Sequence, residues 1–223
     1  MLIALSAKKR HGKDTLADYI VDKYKFSKYA LASPFKELLC KEFEFTNDQI
    51  NGYGFDREKY LGVLGKTVVN RFKNVLNKLG YYASVYNIDW SFIENDDLWS
   101  IRKLMQTIGT DIGCNLVDKL IWMHPMVERY NNGENLIISD CRQDHEMQLM
   151  RNFNALVIHI INPNIIDNDS HITEAGLPIL DGDIVIRNNF DPNNKSYQYK
   201  VFCLNALYNQ VDGAISEFIK KTT

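Results

Sequence analysis

Leu2-Ile3-Ala4-Leu5-Ser6-Ala7-Lys8-Lys9-Arg10-His11-Gly12-Lys13-Asp14-Thr15, at the head of the chain, decides the fold. Leu2 to Leu5 is apolar and too short for a helix, so it reads as a buried strand. A polar, basic loop follows. From Lys13 onward, Leu16, Ala17, Ile20 and Val21 fall on one helical face. Between strand and helix, Ala7 to Asp14 occupies the frame G-x-x-x-x-G-K-[ST] of a phosphate-binding loop. Backbone N–H groups in such a loop wrap a polyphosphate, and the helix N-terminus adds its positive end. Lys13 would reach the outer phosphates as a mobile charge, and the Thr15 hydroxyl the innermost one. Two positions depart from the frame. Ala7 replaces the first glycine and resists positive φ. Asp14 stands where Ser or Thr normally holds Mg²⁺, and a carboxylate is itself an oxygen ligand for that ion. A basic surface turn before a helix is the competing reading, and the position between buried strand and amphipathic helix favours the phosphate loop.

Working outward, Tyr29 and Leu31 suggest a short strand, with Pro34 in the first turn of the next helix. Residues 47–95, rich in Asn, Tyr, Gly and Lys, read as helices and loops of an inserted subdomain. Ile101, Leu104, Met105 and Ile108 are helically spaced, with Gly109 as the expected C-terminal cap. Leu136-Ile137-Ile138, Ala155 to Ile161 and Ile184-Val185-Ile186 are apolar strands, and residues 145–153 are helical. A final helix over Val201 to Phe218 is expected to be interrupted at Gly213. Apolar strands alternating with helices indicate a parallel α/β sheet with right-handed crossovers. Asp140 closes one of those strands, at the edge where ligands bind in such sheets. Arg142 and Glu146 are four apart on the helix beyond it. That spacing suits an ordinary surface pair, but Arg142 just past the strand edge favours a phosphate contact.

The composition sets limits. A chain of 223 residues is one large domain or a core with an insertion, and 45% hydrophobic with 24% charged residues excludes disorder. A net charge of −2 gives no polycation, so nucleic-acid wrapping is not expected. Cys40, Cys114, Cys141 and Cys203 lie far apart, and read as reduced thiols of a cytoplasmic protein. The apolar-then-basic order of the first ten residues is the reverse of a secretory signal. No apolar run approaches the roughly 18 residues of a membrane span. The five histidines have no ligand spacing, so no structural metal is expected.

Four stretches carry a resemblance to a family. They are Leu5 to Thr15 (with the Asp at the Ser/Thr position), Trp99 to Asp111, Asp140-Cys141-Arg142-Gln143-Asp144-His145-Glu146-Met147, and His171-Ile172-Thr173-Glu174-Ala175-Gly176-Leu177-Pro178. In these the chain resembles the deoxynucleoside monophosphate kinases of T-even-type tailed bacteriophages. The likeness runs from residue 1 to about 190, with a divergent insert between about 40 and 95. It implies a single domain of about 1–223 with a parallel five-stranded P-loop kinase core, helices on both faces, over about 1–36 and 130–223. A mostly helical monophosphate-binding insert over about 37–129 and a lid loop over about 162–182 complete it. It also implies transfer of the γ-phosphoryl of ATP, with Mg²⁺, to a deoxynucleoside 5′-monophosphate, for viral DNA precursors in a host cytoplasm, by a dimer.

Residue roles follow from the same resemblance. Arg10, His11, Gly12, Lys13, Asp14, Thr15 and Arg187 would hold ATP, with Asp14 at the metal. Lys13, Asp140 and Arg142 would be catalytic. Lys36, Arg57 and Arg102 would grip the acceptor phosphate, and Gln106 would read a base edge. Gly109 and Thr110 would cap that helix and admit the base, Trp122 would stack on it, and Asn115, Asp140, Arg142, Gln143, Glu146 and Thr173 would complete the acceptor site. The lid stretch has no arginine, so charge on the γ-phosphate falls to Arg142 first, or to Arg10, Arg151 or Arg187. Asn162 stands where the family tends to carry an arginine. Rival functions are another small-molecule P-loop kinase acting on a phosphorylated metabolite, a nucleotide-dependent ATPase or switch, and a binding module with a decayed loop.

Overall fold

The computed structural model describes residues 1–8, 10–63, 65–91, 93, 97–165 and 177–222. In chain order the elements are β1 (Leu2–Ala7), α1 (Lys13–Tyr24), β2 (Ser27–Tyr29), α2 (Ser33–Phe43), α3 (Asn47–Asn51), β3 (Tyr60–Val63), α4 (Lys66–Lys78), α5 (Tyr82–Asn87), β4 (Leu98–Ser100) and α6 (Ile101–Gln106). A π-helix follows over Thr107–Val117, then α7 (His124–Asn131), β5 (Leu136–Ile138), α8 (Asp144–Asn152), β6 (Leu156–Ile161), β7 (Ile184–Arg187) and α9 (Tyr197–Thr222). The chain divides into two compact units, Met1–Leu31 with Met126–Thr223, and Ala32–Pro125.

The first unit holds the five-stranded sheet. Its sheet is parallel, in the order β2-β5-β1-β6-β7. The register sets Leu2 beside Leu136, Ile3 beside Leu156 and Ile158 beside Ile184. Central strands covered on both faces are nearly continuous apolar runs, which is why β1, β5 and β6 are legible in the sequence. Ile3, Leu5, Leu16, Ile20, Ile137, Ile158, Leu207 and Val211 pack into one buried cluster. α9 runs unbroken through Gly213, where a side chain would meet open space, so the expected interruption is absent. Asp212 on α9 accepts hydrogen bonds from Tyr19, Lys23 and Tyr24 on α1.

The second unit has its own core, in which Leu39, Phe43, Phe72, Trp90, Trp99 and Leu104 pack together. It is not only helices and loops: β3 and β4 form an antiparallel pair. Trp99 and Ser100 are strand residues, and the Ser100 hydroxyl caps α6 by accepting from Lys103 N at 3.2 Å. Gly109 caps nothing, because the helix continues past it as the π segment to Val117. Among the described residues, no helix is long and apolar enough to cross a membrane.

A buried ionic cluster ties the segment before β7 to the core sheet. Asp183, 5% exposed, accepts from Arg151 at 2.6 Å and Leu180 N at 2.9 Å, and lies 2.9 Å from His159 Nε2. Burial pushes the Asp183 carboxyl up, but those hydrogen bonds outweigh it and hold it below its ordinary value. Its stabilising contribution is therefore present above the ordinary carboxylate pKa and lost as pH falls through the lowered one. Asp183→Asn should cost about 3 kcal/mol in urea unfolding at neutral pH, because it leaves the half-buried Arg151 without its carboxylate. That difference should shrink below about pH 4. A difference independent of pH would show that the charge on Asp183 is not what matters.

Candidate functional site

The C-terminal ends of parallel strands share one edge of the sheet, and the loop after β1 lies there. Ala7 is the last residue of β1, paired with Ile160, so no positive φ is asked of it and the first departure from the motif is harmless. The loop instead takes positive φ at Arg10 (67°) and Gly12 (100°). At Gly12 two constraints coincide, since a Cβ there would sit 2.5 Å from the Asn188 side-chain nitrogen. Asn188, just beyond β7, donates from that nitrogen to the His11 carbonyl at 2.9 Å. Its backbone N–H donates to Ile161 O at 2.9 Å. Asn162, just beyond β6, donates its backbone N–H to His11 Nδ1 at 3.1 Å and its amide to Phe190 O at 2.8 Å. His11 is buried and serves as the loop's anchor rather than a ligand-facing group. Asn162 and Asn188 were missed as functional residues. The available signal was an Asn directly after an apolar strand, twice.

α1 begins at Lys13 with no side-chain cap on its first turn, which leaves backbone donors for an anion. Burial and the nearby Arg142 push the Lys13 ammonium below its ordinary pKa, while Asp14, Asp140 and Cys141 oppose them. Lys13, Asp140 and Arg142 therefore share one electrostatic neighbourhood. Asp140 is fixed by Leu31 N, which donates to its Oδ1 at 2.9 Å. Burial pushes the Cys141 thiol well up, so it stays protonated between them. Glu146 Oε2 accepts the backbone N–H groups of Arg142 (2.8 Å) and Gln143 (3.0 Å), fixing the turn after Asp140. Asp14 is 79% exposed with Oδ1 3.8 Å from Lys28 Nζ, so it faces that lysine. Arg151 is committed to Asp183 and to Pro178 O, which removes it from the phosphate candidates. Arg10, Thr15 and Arg187 are exposed, with the backbone of Arg187 held by Gln210.

In the second unit, Lys36 donates to Asn51 Oδ1 at 2.8 Å, and Arg57 donates to Ile50 O at 3.4 Å beside Gly52. Both cations are thus drawn to the C-terminus of α3. Arg102 N donates to Arg57 O at 3.0 Å, and its guanidinium meets Glu58 at 3.1 Å. Lys36, Arg57 and Arg102 are linked through residues 50–58, with Arg57 acting here as a helix cap. Gln106, Thr110 and Asn115 are exposed and Gly109 is buried. Trp122 does not present a stacking face. It is 9% exposed, tilted against Phe35 with 4.8 Å between centroids, and its indole N–H donates to Gly109 O at 2.7 Å. A buried indole N–H needs an acceptor, so the core role wins. Thr173, and the lid stretch from 166 to 176, lie outside the described residues.

Gly12→Ala should weaken Mg·ATP binding at least tenfold and lower the thermal midpoint, because it meets both the positive φ and the Asn188 amide. Adding Asn188→Ala removes the collision but not the backbone strain, so recovery should be partial. Calorimetric titration of both variants measures this, and wild-type affinity in Gly12→Ala would refute the account of the loop.

The chain is similar to known proteins over most of its length. Residues 1–194 match the family model "Deoxynucleotide monophosphate kinase". The chain is 36% identical over 221 residues to the deoxynucleotide monophosphate kinase of Enterobacteria phage T4, covering 84% of this chain and 92% of that one. It is 37% identical over 226 residues to the enzyme of the same name in Escherichia phage RB69, covering 84% and 93%. A more distant relative is the deoxynucleoside-5′-monophosphate kinase of Escherichia phage T5, 26% identical over 243 residues, covering 91% and 96%. A phosphate loop closing the first strand of a parallel five-stranded sheet, with this identity across most of its length, makes the chain a member of the deoxynucleotide monophosphate kinase family.

Proposed function

We propose that the chain moves the γ-phosphoryl of ATP to the 5′-phosphate of a deoxynucleoside monophosphate, and that its two units divide the work. The observation that carries the reading is the neighbourhood of Lys13, Asp140 and Arg142 at the mouth of the phosphate loop. In this assignment the loop backbone, the first turn of α1 and Lys13 hold the donor phosphates, with Arg10 and Arg187 at the rim. Arg142 meets the charge in flight, and Glu146 holds its backbone. Lys36, Arg57 and Arg102 receive the acceptor phosphate, and Gln106, Thr110 and Asn115 face its nucleoside. A phosphate monoester is already largely ionised at neutral pH, so transfer needs alignment and charge neutralisation more than a base.

Among the described residues no three metal-ligating side chains cluster. Mg²⁺ keeps several waters and takes other ligands from phosphate oxygens, so a single carboxylate would be enough to hold it. Asp140 would hold it, since one oxygen is spent on Leu31 N and the other is left for a bound water. Asp14 is the secondary candidate because it faces Lys28. When bound, the ion would neutralise negative charge on the donor phosphates. The working place would be a host cytoplasm, and the state a homodimer, which sedimentation of the purified chain tests.

Lys13→Ala should cut phosphoryl transfer by at least a hundredfold while leaving the unfolding transition in place. ADP formation, measured against every deoxy- and ribonucleoside monophosphate with a no-acceptor control, should depend on a deoxynucleotide acceptor. Equal turnover with and without acceptor would replace the kinase with an ATPase.

A further inference from the structure

The π segment turns residues that an α-helix would scatter into one line. Arg102, Gln106, Thr110 and Asn115 are all exposed, at spacings of four, four and five. In an α-helix, nine residues at 3.6 per turn carry Asn115 about 180° away from Gln106. With hydrogen bonds five residues apart, a π-helix has about 4.4 residues per turn and returns it to within about 20°. The wide register is plain at its end, where Asp118 N donates to Gly113 O at 2.9 Å, five residues back.

Three contacts hold this register. Trp122 Nε1 donates to Gly109 O at 2.7 Å, and Cys114 Sγ donates to the same carbonyl at 3.2 Å. Gly113 lies so close beneath the indole that a Cβ would meet Trp122 Cζ2 at 2.8 Å and Ile108 O at 2.9 Å. Ile108 and Ile112 anchor the opposite face, 2% and 1% exposed. A π-helix packs less well along its own axis than an α-helix and is rare beyond a single turn, so an eleven-residue run needs such outside support.

We propose that the π register of Thr107–Val117 is the specificity-determining element of the acceptor site, and that Trp122 is its positioning residue. The register lines up two side-chain amides, Gln106 and Asn115, behind the guanidinium of Arg102. Each amide offers a donor and an acceptor together, the pattern that discriminates among the edges of nucleobases. The ligand class is a nucleoside monophosphate, its phosphate toward Arg102 and its base toward Asn115. This rests on reading Ala32–Pro125 as the acceptor side.

The test compares steady-state KM and kcat for four deoxynucleoside monophosphates, with KM for ATP as internal reference. Arg102→Ala checks the underlying reading, and should raise acceptor KM about tenfold or more with KM for ATP unchanged. Asn115→Ala, on the surface, should raise acceptor KM about fivefold and compress the differences among bases, while the exposed Lys119→Ala off the stripe changes neither. Trp122→Phe keeps an aromatic side chain but removes the N–H donor and part of the ring against Gly113, and should reproduce the compression with kcat within about threefold of wild type. Gly113→Ala should act the same way or more strongly. If Arg102→Ala behaves as expected but Asn115→Ala and Trp122→Phe leave base preference within twofold of wild type, the register is overturned and the acceptor assignment stands. If Arg102→Ala leaves acceptor KM unchanged, the acceptor assignment itself falls. Trp122→Phe or Gly113→Ala that fails to fold leaves the decision to Asn115→Ala, whose silence overturns the proposal.

Discussion

The hydrogen bond from the Asn188 side chain to the His11 carbonyl, made across the space that only a glycine at position 12 leaves open, governs where Lys13 stands. The constraint starts in the sheet. β6 pairs with β1 and β7 with β6, and each is followed by an asparagine that reaches His11, Asn162 through its backbone N–H and Asn188 through its side-chain amide. Asn162 takes the imidazole of His11 and Asn188 its carbonyl, so the loop is held at both faces of one residue. Gly12 then enters the left-handed region and releases the chain into α1. A phosphate loop has to offer its N–H groups with little freedom to lose, because binding costs the ordering of whatever is still mobile. Here the ordering is built into strand ends, the stiffest parts of the fold.

Burial explains which parts of this were legible from the sequence. β1, β5 and β6 are covered on both faces and are written as nearly continuous apolar runs, so strand assignment needs no context. The order of strands and helices then leaves few topologies. The second unit obeys a different rule. β3 carries Tyr60, Leu61 and Val63 largely exposed and pairs with β4 only after more than thirty intervening residues, so nothing local marks it as a strand. α4 does have a buried stripe of Val69, Phe72, Val75 and Leu76, but it is diluted by Asn and Lys. The π segment lies outside the usual templates, since its apolar spacing is neither 3.6 nor 2. Its one written trace is the pair Gly109 and Gly113, which reads as a cap until the indole that needs them is located.

A sequence gives a side chain's identity and position along an element, but not what its far end meets. Trp122, Glu146 and Arg151 all have chemistry that suits a ligand. In this structure each meets the protein, through an indole N–H on Gly109 O, a carboxylate on two backbone N–H groups and a guanidinium on Asp183. Buried polar groups have to be satisfied, and the nearest partner is usually internal. The converse holds for Asn162 and Asn188, whose plain chemistry suggested nothing and whose location just past a strand gave them the loop.

Two units of one chain thus use opposite means to hold a functional surface. The loop at β1 is fixed by a parallel sheet that would form in any sequence of similar pattern, so its geometry is inherited from the fold. The stripe along α6 and the π segment is fixed by one indole, two glycines and two isoleucines, and its register has an α-helical competitor for the same residues. Moving between the two registers would swing Asn115 to the far side of the helix without altering the identity of any exposed residue. Phosphate chemistry is common to every donor and acceptor of such an enzyme and suits the rigid arrangement. Base preference has to differ between enzymes that share the fold, and a helix register held by a handful of contacts changes with very few substitutions.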